Sequence, residues 1–149
     1  MPGLLLIAHA PLASSLKAVA AHVYADCSKH LVALDVAPGA SPEQVEAEAR
    51  ALLATFSQPD VLILADVFGA TPCNVALKLS DGVHVRVVAG VNVPMLWRAL
   101  CYASEPLDAL LARAVAGATQ GVMQVAAPKR QNQSPSALKH DQDDPDHQQ

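Results

Sequence analysis

The sequence predicts an α/β fold, an open and mostly parallel sheet with helices on both faces. Short, continuous apolar runs alternate along the chain with longer segments that have helical periodicity. Such runs are typical of strands covered on both sides, and their alternation with helices favours parallel strands. Of the 149 residues, 52% are hydrophobic and only 16% are charged, so the chain can bury the core of one domain.

The predicted elements follow the order β-α-β-α-β-α-β-α-α-β. Strands are predicted at 4–8, 31–36, 61–65, 83–89 and 122–126, each from a run rich in Val, Leu, Ile or Ala. Helices are predicted at 11–26, 42–56, 72–79, 94–102 and 106–116. The second helix has the clearest start, with Ser41 as N-cap, Pro42 at the first helical position and Gln44 at the third.

The composition changes sharply near Ala127. Residues 1–127 carry the alternating elements and form one predicted domain, whereas 128–149 are mostly Gln, Asn, Ser, Pro, Asp and Lys. We predict a disordered polar tail at 128–149, because this segment has too little apolar surface to offset the entropy cost of ordering.

The overall charge and aromatic content argue against nucleic acid as a partner. The formal net charge is -4, so no basic excess is present to meet a phosphate backbone. Aromatic residues make up 3% of the chain, which is too few for a platform that stacks bases.

The cysteine pattern and the apolar runs predict a cytoplasmic protein without a metal. The three cysteines are widely spaced and form no Cys-x-x-Cys pair, so neither a zinc site nor a disulfide framework is indicated (Cys27, Cys73 and Cys101). The apolar run at 4–8 has no basic residues before it and is too short for a signal peptide. No run approaches the roughly 20 apolar residues of a membrane span.

Polar side chains follow three of the predicted strands, at the carboxyl end of each. His9 follows the first strand, Asp66 the third and Asn92 the fourth. The carboxyl ends of parallel strands meet at one edge of a sheet, where open α/β folds bind ligands. Each residue alone has an ordinary structural explanation, but their coincidence favours a functional site. Three other histidines are expected to be structural or surface residues: His22, His30 and His84.

The same edge carries two turns that lead into helices. Residues 69–71 read Gly-Ala-Thr, with Thr71 predicted as N-cap and Pro72 as the first helical residue. Asn92 precedes Pro94 at the start of the next helix. We expect these two residues to shape the edge of the site without taking part in the chemistry.

These residue types suit phosphoryl transfer to a histidine. The neutral imidazole of His9 can accept a phosphoryl group on one ring nitrogen if the other nitrogen is held. Asp66 is the carboxylate expected to hold it and to stabilise positive charge on the ring. The backbone N–H groups of Gly69 and Ala70 and the Thr71 hydroxyl are expected to bind the phosphoryl group, aided by helix dipoles. No metal or cofactor is required, and no P-loop lysine motif is present.

Three stretches resemble the signature sequences of mannose-family IIA domains of the phosphoenolpyruvate-dependent sugar phosphotransferase system. They are Ile7-Ala8-His9, the nine residues 66–74 (Asp-Val-Phe-Gly-Ala-Thr-Pro-Cys-Asn) and 90–96 (Gly-Val-Asn-Val-Pro-Met-Leu). The resemblance covers about residues 3–126. It implies that His9 accepts phosphate from the carrier protein HPr on Nε2, with Nδ1 facing Asp66, and passes it to a IIB domain. It also implies that Thr71 helps to hold the phosphoryl group.

The resemblance further implies a homodimer. In that family the last strand, here 122–126, is an antiparallel edge strand exchanged between subunits. The protein would be cytoplasmic, and peripheral to a membrane permease at most.

Two positions depart from the family pattern. Ala10 and Ala70 stand where the family usually has glycine. Alanine costs about 1 kcal/mol where φ must be positive. Either these positions are therefore not left-handed here, or the phosphate-binding loop is altered.

Two other functions remain open at this point. The chain is also similar to the phosphoryl-donor subunit of dihydroxyacetone kinase. Alternatively, the phosphorylation state of this chain could serve as a regulatory signal. A binding module for a small anion, in which His9 is a contact only, is the alternative from a different functional class.

Overall fold

The computed structural model describes residues 1–129, which form a four-stranded, all-parallel sheet flanked by helices. The strands are β1 (Gly3–His9), β2 (Leu31–Val36), β3 (Val61–Ala65) and β4 (Val85–Ala89), in the spatial order β2-β1-β3-β4. The helices are α1 (Leu12–Val23), α2 (Pro42–Leu53), α3 (Thr71–Leu79), α4 (Val93–Cys101) and α5 (Leu107–Gln120), with a short 3-10 helix at Cys27–His30. The predicted α/β class is confirmed.

Helices cover both faces of the sheet, and this explains the continuous apolar runs. Leu4 and Leu6 of β1 pack in one cluster with residues of α1, α4 and α5, whereas Leu5 and Ile7 pack in a second cluster with residues of α2 and α3. Successive side chains of a strand point to opposite faces, so a strand covered on both sides must be apolar throughout. Every residue of β3 is accordingly buried.

The strand order places the loops after β1 and β3 side by side. β1 pairs in parallel with β2 on one side and with β3 on the other, so the connectivity reverses between β1 and β3. Ile7 lies opposite Ala65, which brings His9 and Asp66 to neighbouring strand ends. A crevice at such a reversal is the usual ligand site of an open α/β sheet.

Most element boundaries agree with the sequence, and some differ by a few residues. The predicted N-cap of α2 is confirmed, because Ser41 Oγ accepts the backbone N–H of Gln44 at 3.1 Å. The predicted N-cap of α3 was wrong. Ala70 is the cap residue, in an extended conformation, and Thr71 already lies in the first turn. α5 runs on to Gln120, beyond the predicted end at 116.

The predicted strand at 122–126 does not form in the single chain. Residues 122–129 have no regular secondary structure, and Val122, Met123 and Val125 are exposed. A strand must share its backbone hydrogen bonds with a neighbour, and the described chain pairs only β1 to β4. The exchanged antiparallel strand concerns a second copy and stays a prediction.

The predicted polar tail lies almost wholly outside the described residues, since these end at Lys129. Among residues 1–129, no helix is both long and apolar enough to cross a membrane.

Candidate functional site

His9 and Asp66 form a close pair at the carboxyl ends of β1 and β3. Nδ1 of His9 lies 2.6 Å from Oδ2 of Asp66. The same carboxylate oxygen accepts the backbone N–H of His9 at 2.9 Å, and Oδ1 accepts the backbone N–H of Val67 at 2.8 Å. Asp66 therefore holds both the ring and the main chain of His9.

The pair is open to solvent on the histidine side only. The His9 side chain is 54% exposed, whereas that of Asp66 is 10% exposed. With Nδ1–H donating to the carboxylate, a neutral ring has its lone pair on Nε2. Nε2 makes no hydrogen bond within residues 1–129, so it is accessible to a reacting group.

Hydrogen bonds keep Asp66 ionised. Burial raises the pKa of the Asp66 carboxyl, but bonds from the His9 backbone, the His9 ring and the Val67 backbone together hold that pKa below its ordinary value. An ionised carboxylate beside Nδ1 fixes the tautomer of the ring and stabilises positive charge on it.

The 69–71 loop turns beside this pair into the N-terminus of α3. Gly69 adopts a φ of 88°, a conformation that favours glycine. Ala70 has a φ of -107° and a ψ of 168° and contributes no side-chain cap. In the described part of the chain, the backbone N–H groups of Ala70 and Thr71 donate to no protein acceptor. The loop therefore presents free donors at the positive end of a helix.

The two departures from the family glycines lie at positions where φ is not positive. Among residues 1–129, only glycines have positive φ, so neither Ala10 nor Ala70 is left-handed. The sequence left open whether these positions are not left-handed or the phosphate-binding loop is altered, and the first possibility holds.

Asn92 and Pro94 lie at the start of α4, where they join α4 to α5. Asn92 Oδ1 accepts the backbone N–H of Met95 at 2.9 Å, and its Nδ2 donates to the carbonyl of Ala118 at 3.3 Å. Pro94 packs so closely on Gly121 that a Cβ at Gly121 would collide with it. Both contacts are structural, and neither residue is bonded to His9 or Asp66.

Asp35 is a second carboxylate near a strand end, which the sequence-based prediction of the site did not include. Asp35 lies next to the end of β2, and its Oδ1 accepts the backbone N–H of Ser14 in the first turn of α1 at 3.0 Å. The signal was an acidic residue in an otherwise apolar strand. A side chain thus accepts one first-turn N–H in α1 and one in α4, whereas no side chain does so in α3.

Exposed apolar residues flank the His9–Asp66 pair along the chain. Phe68, two residues after Asp66, is 77% exposed, and Val67 and Leu12 are exposed as well. Exposed aromatic side chains next to a polar site are typical of surfaces that bind proteins. No pattern in the sequence had marked these residues as a docking surface.

A second His–Asp pair lies at the amino-terminal ends of the strands, at the opposite end of the sheet from His9. Nδ1 of His84 lies 2.7 Å from Oδ1 of Asp60, and these two residues directly precede β4 and β3. The hydrogen bond to Asp60, together with the charges of Asp60 and Asp81, raises the pKa of His84 against a smaller opposing effect of desolvation.

Metal coordination finds no support in the described geometry. Within residues 1–129, no three His, Cys, Asp or Glu side chains converge closely enough to hold a metal ion.

Comparison with known families decides the relationship of the chain. The family EIIA-man, described as "PTS system fructose IIA component", matches residues 3–115. The chain belongs to the EIIA-man family. It is therefore a IIA component of the mannose type, and the general reaction of such components is phosphoryl transfer.

Related proteins and structures agree with the EIIA-man assignment. The "PTS system mannose-specific EIIAB component" of Escherichia coli (strain K12) is 33% identical over 107 residues, which are 69% of this chain and 33% of that protein. The protein of the same name from Shigella flexneri matches equally. The chain spans about a third of the length of these curated relatives.

Solved structures of phosphotransferase-system IIA proteins share the fold. The "Mannose/sorbose specific IIA subunit of phosphotransferase system" from Enterococcus faecalis has a TM-score of 0.78 and 27% identity, covering 87% of this chain and 98% of that one. The "phosphotransferase system component EIIA" from Streptococcus agalactiae has a TM-score of 0.75 at 22% identity, covering 83% and 97%. At that lower identity the likeness concerns the fold alone.

Proposed function

We propose that the chain is a phosphoryl carrier that accepts a phosphoryl group from phospho-HPr on Nε2 of His9 and passes it to a IIB partner. The observation that carries this proposal is the His9–Asp66 pair. Nδ1 is held at 2.6 Å by a carboxylate, while the side chain that bears Nε2 is half exposed. The EIIA-man family supports the same general reaction.

Each chemical step needs only the ring and its carboxylate. The lone pair of Nε2 attacks phosphorus, a new N–P bond forms, and the bond between phosphorus and the donor's nitrogen breaks with its electron pair returning to that donor. Nδ1 keeps its proton throughout, and Asp66 stabilises the positive charge that appears on the ring. Transfer onward reverses these events toward a nucleophile of the acceptor.

The phosphoryl oxygens are bound by the start of α3 in this proposal. The N–H groups of Ala70 and Thr71 and the Thr71 hydroxyl supply donors, and the turn at Gly69 directs them towards the site. Support comes from the contrast with α1 and α4, whose first turns are already bonded to Asp35 and Asn92. Free backbone N–H groups at a helix N-terminus are a general means of binding anions.

Donor and acceptor are proteins that dock on the exposed surface around His9. Phe68, Val67 and Leu12 provide an apolar rim of the kind found in protein interfaces.

The role of phosphoryl carrier requires a location in the cytoplasm, together with HPr. The exposed segment at 122–126 pairs with the free edge of β4 in a second copy, which completes a homodimer.

Labelling of the histidine tests the proposal. Incubation with phosphoenolpyruvate, enzyme I and HPr is expected to add a single acid-labile phosphate, measured by intact mass. His9→Ala is expected to remain unlabelled, and His84→Ala is the matched control because it removes the other carboxylate-bound histidine. Equal labelling of His9→Ala and the wild type would refute the assignment. Absence of any label on the wild type would favour a small-anion-binding module.

The identity of the acceptor is a separate question with its own readout. The labelled chain is mixed with candidate acceptors, and loss of its phosphate to a IIB domain supports the role in sugar uptake. Loss instead to a dihydroxyacetone-kinase subunit would contradict that role and leave the carrier chemistry intact.

A further inference from the structure

We propose that Asp35 is a positioning residue for phosphoryl acceptance, because it holds the start of α1 and thereby the loop that carries His9. This inference rests on the proposed function, since it concerns the geometry of the same histidine.

The loop between β1 and α1 has no cap of its own. Only Ala10 and Pro11 separate His9 from the first helical residue, and Pro11 provides no side-chain acceptor. The hydroxyls of Ser14 and Ser15 both donate to the Pro11 carbonyl, at 3.2 and 2.6 Å, so they leave the helix N–H groups unsatisfied. The acceptor for this first turn comes instead from the neighbouring strand.

Two bonds from the end of β2 bracket the loop. The carbonyl of Val36 accepts the backbone N–H of Ala10 at 2.9 Å, and Oδ1 of Asp35 accepts that of Ser14 at 3.0 Å. Both acceptors belong to the last two residues of β2, which pair with Ala8 and His9 of β1. The sheet itself therefore fixes both ends of the loop.

Movement of this loop reaches the reacting ring directly. The backbone N–H and the Nδ1 of His9 converge on the same oxygen of Asp66, at 2.9 and 2.6 Å. Loss of the Asp35 bond frees the first turn of α1, and a shift of the adjoining main chain alters both contacts to that oxygen. Nε2 then no longer points where a docked donor presents phosphorus.

Asp81 offers a matched control at the far edge of the sheet. Its Oδ1 accepts the backbone N–H groups of Val83, His84 and Val85 at 2.9, 2.7 and 2.8 Å. Asp81 thus supports a loop with more backbone bonds than Asp35 does, but it supports the end of the sheet away from His9. Its removal measures the effect of destabilisation alone.

The test compares the wild type with Asp35→Ala, Asp35→Asn and Asp81→Ala in phosphoryl acceptance from phospho-HPr. Since small misplacements of reacting groups are costly, Asp35→Ala is expected to lower kcat about tenfold with KM changed less than about twofold. Asp35→Asn keeps an oxygen acceptor for Ser14 N–H and is expected to retain kcat within about twofold. Asp81→Ala is expected to lower the melting temperature and leave kcat unchanged.

A spectroscopic readout accompanies the kinetics. The proton resonance of the hydrogen-bonded Nδ1–H of His9 is expected in the wild type, Asp35→Asn and Asp81→Ala, and to shift or broaden in Asp35→Ala. Unchanged kcat in Asp35→Ala, an equal loss in Asp35→Asn, or an equal loss in Asp81→Ala would each overturn the proposal. If the wild type takes no phosphate, the proposed function fails, and the His9 resonance still decides whether Asp35 positions the ring.

Discussion

Two His–Asp pairs of nearly equal geometry lie at opposite ends of the same sheet. The distances from Nδ1 to the carboxylate are 2.6 Å in His9–Asp66 and 2.7 Å in His84–Asp60, and both histidine side chains are 54% exposed. The carboxylates differ, because Asp66 is 10% exposed and accepts two backbone N–H groups, whereas Asp60 is 40% exposed.

The surroundings of the two pairs differ more than the pairs themselves. His9–Asp66 lies near the start of α3, and a helix N-terminus without a side-chain cap favours an anion. His84 lies beyond the end of α3, and its backbone N–H is bonded to the carboxylate of Asp81. A phosphoryl group on His84 would therefore meet negative charge. A hydrogen bond between an imidazole and a carboxylate is therefore not enough for a phosphoryl carrier. The groups around the imidazole decide whether a phosphoryl group is stabilised there.

The largest expected difference between the pairs concerns the carboxylates. Asp66→Asn removes the charge that stabilises the phosphorylated ring and is expected to slow phosphoryl acceptance by about 10²-fold. Asp60→Asn is expected to leave the rate within about twofold. Rapid-quench measurement of phosphate transfer from HPr checks both variants, and equal rates for the two would remove the distinction between the pairs.

An intermediate effect is expected from the apolar rim beside His9. Phe68→Ala is expected to raise KM for phospho-HPr about tenfold with kcat little changed, because exposed aromatic residues often dominate docking energy. Val83→Ala removes an exposed apolar side chain next to His84 and serves as control. A KM shift of the same size in Val83→Ala would show that the partner does not dock at the His9 edge.

The pH dependence of stability tests the His84–Asp60 pair by itself. The hydrogen bond to Asp60 raises the pKa of His84 above its ordinary value of 6.5. A raised folded-state pKa adds stability that is present below the unfolded pKa and is lost as pH rises through the folded one. The wild type is therefore expected to exceed His84→Ala in melting temperature by more at about pH 5.5 than at about pH 8.5.

The same measurement on Asp60→Asn provides the control for this pH effect. Without the Asp60 carboxylate, replacing His84 is expected to give a difference in melting temperature that depends less on pH, because only the charge of Asp81 still raises the pKa of His84. A pH-independent difference in the presence of Asp60 would contradict the assignment of the raised pKa to this pair.

The smallest effect is expected at Ala70. Its φ of -107° suits any residue, so Ala70→Gly is expected to change the rate of phosphoryl acceptance less than about twofold. A large gain in rate would show instead that glycine at this position lets the phosphoryl group come closer to the loop than Ala70 allows.

Much of the fold and part of the site were predictable from local patterns. The buried strands, the cap at Ser41 and the placement of His9 and Asp66 at strand ends all follow from residues close together in the sequence. The cap of α3 was mispredicted. The prediction relied on the side chain of Thr71, which is a good capping residue, but the backbone path after Gly69 makes Ala70 the cap residue. The strand expected at 122–126 depends on a neighbour that the single chain does not supply.

The sequence by itself determined the α/β class and the set of residues at the strand ends, because the period of apolar residues specifies which faces are buried. Only the tertiary structure decided that a side chain from a neighbouring strand accepts an N–H at the start of α1 while none does so at the start of α3. That outcome depends on Asp35 reaching Ser14, which lies 21 residues away in the chain. It also decided that His84 meets Asp60 at the opposite edge. Contacts of this kind join residues far apart in the chain, and strand order and register bring them together.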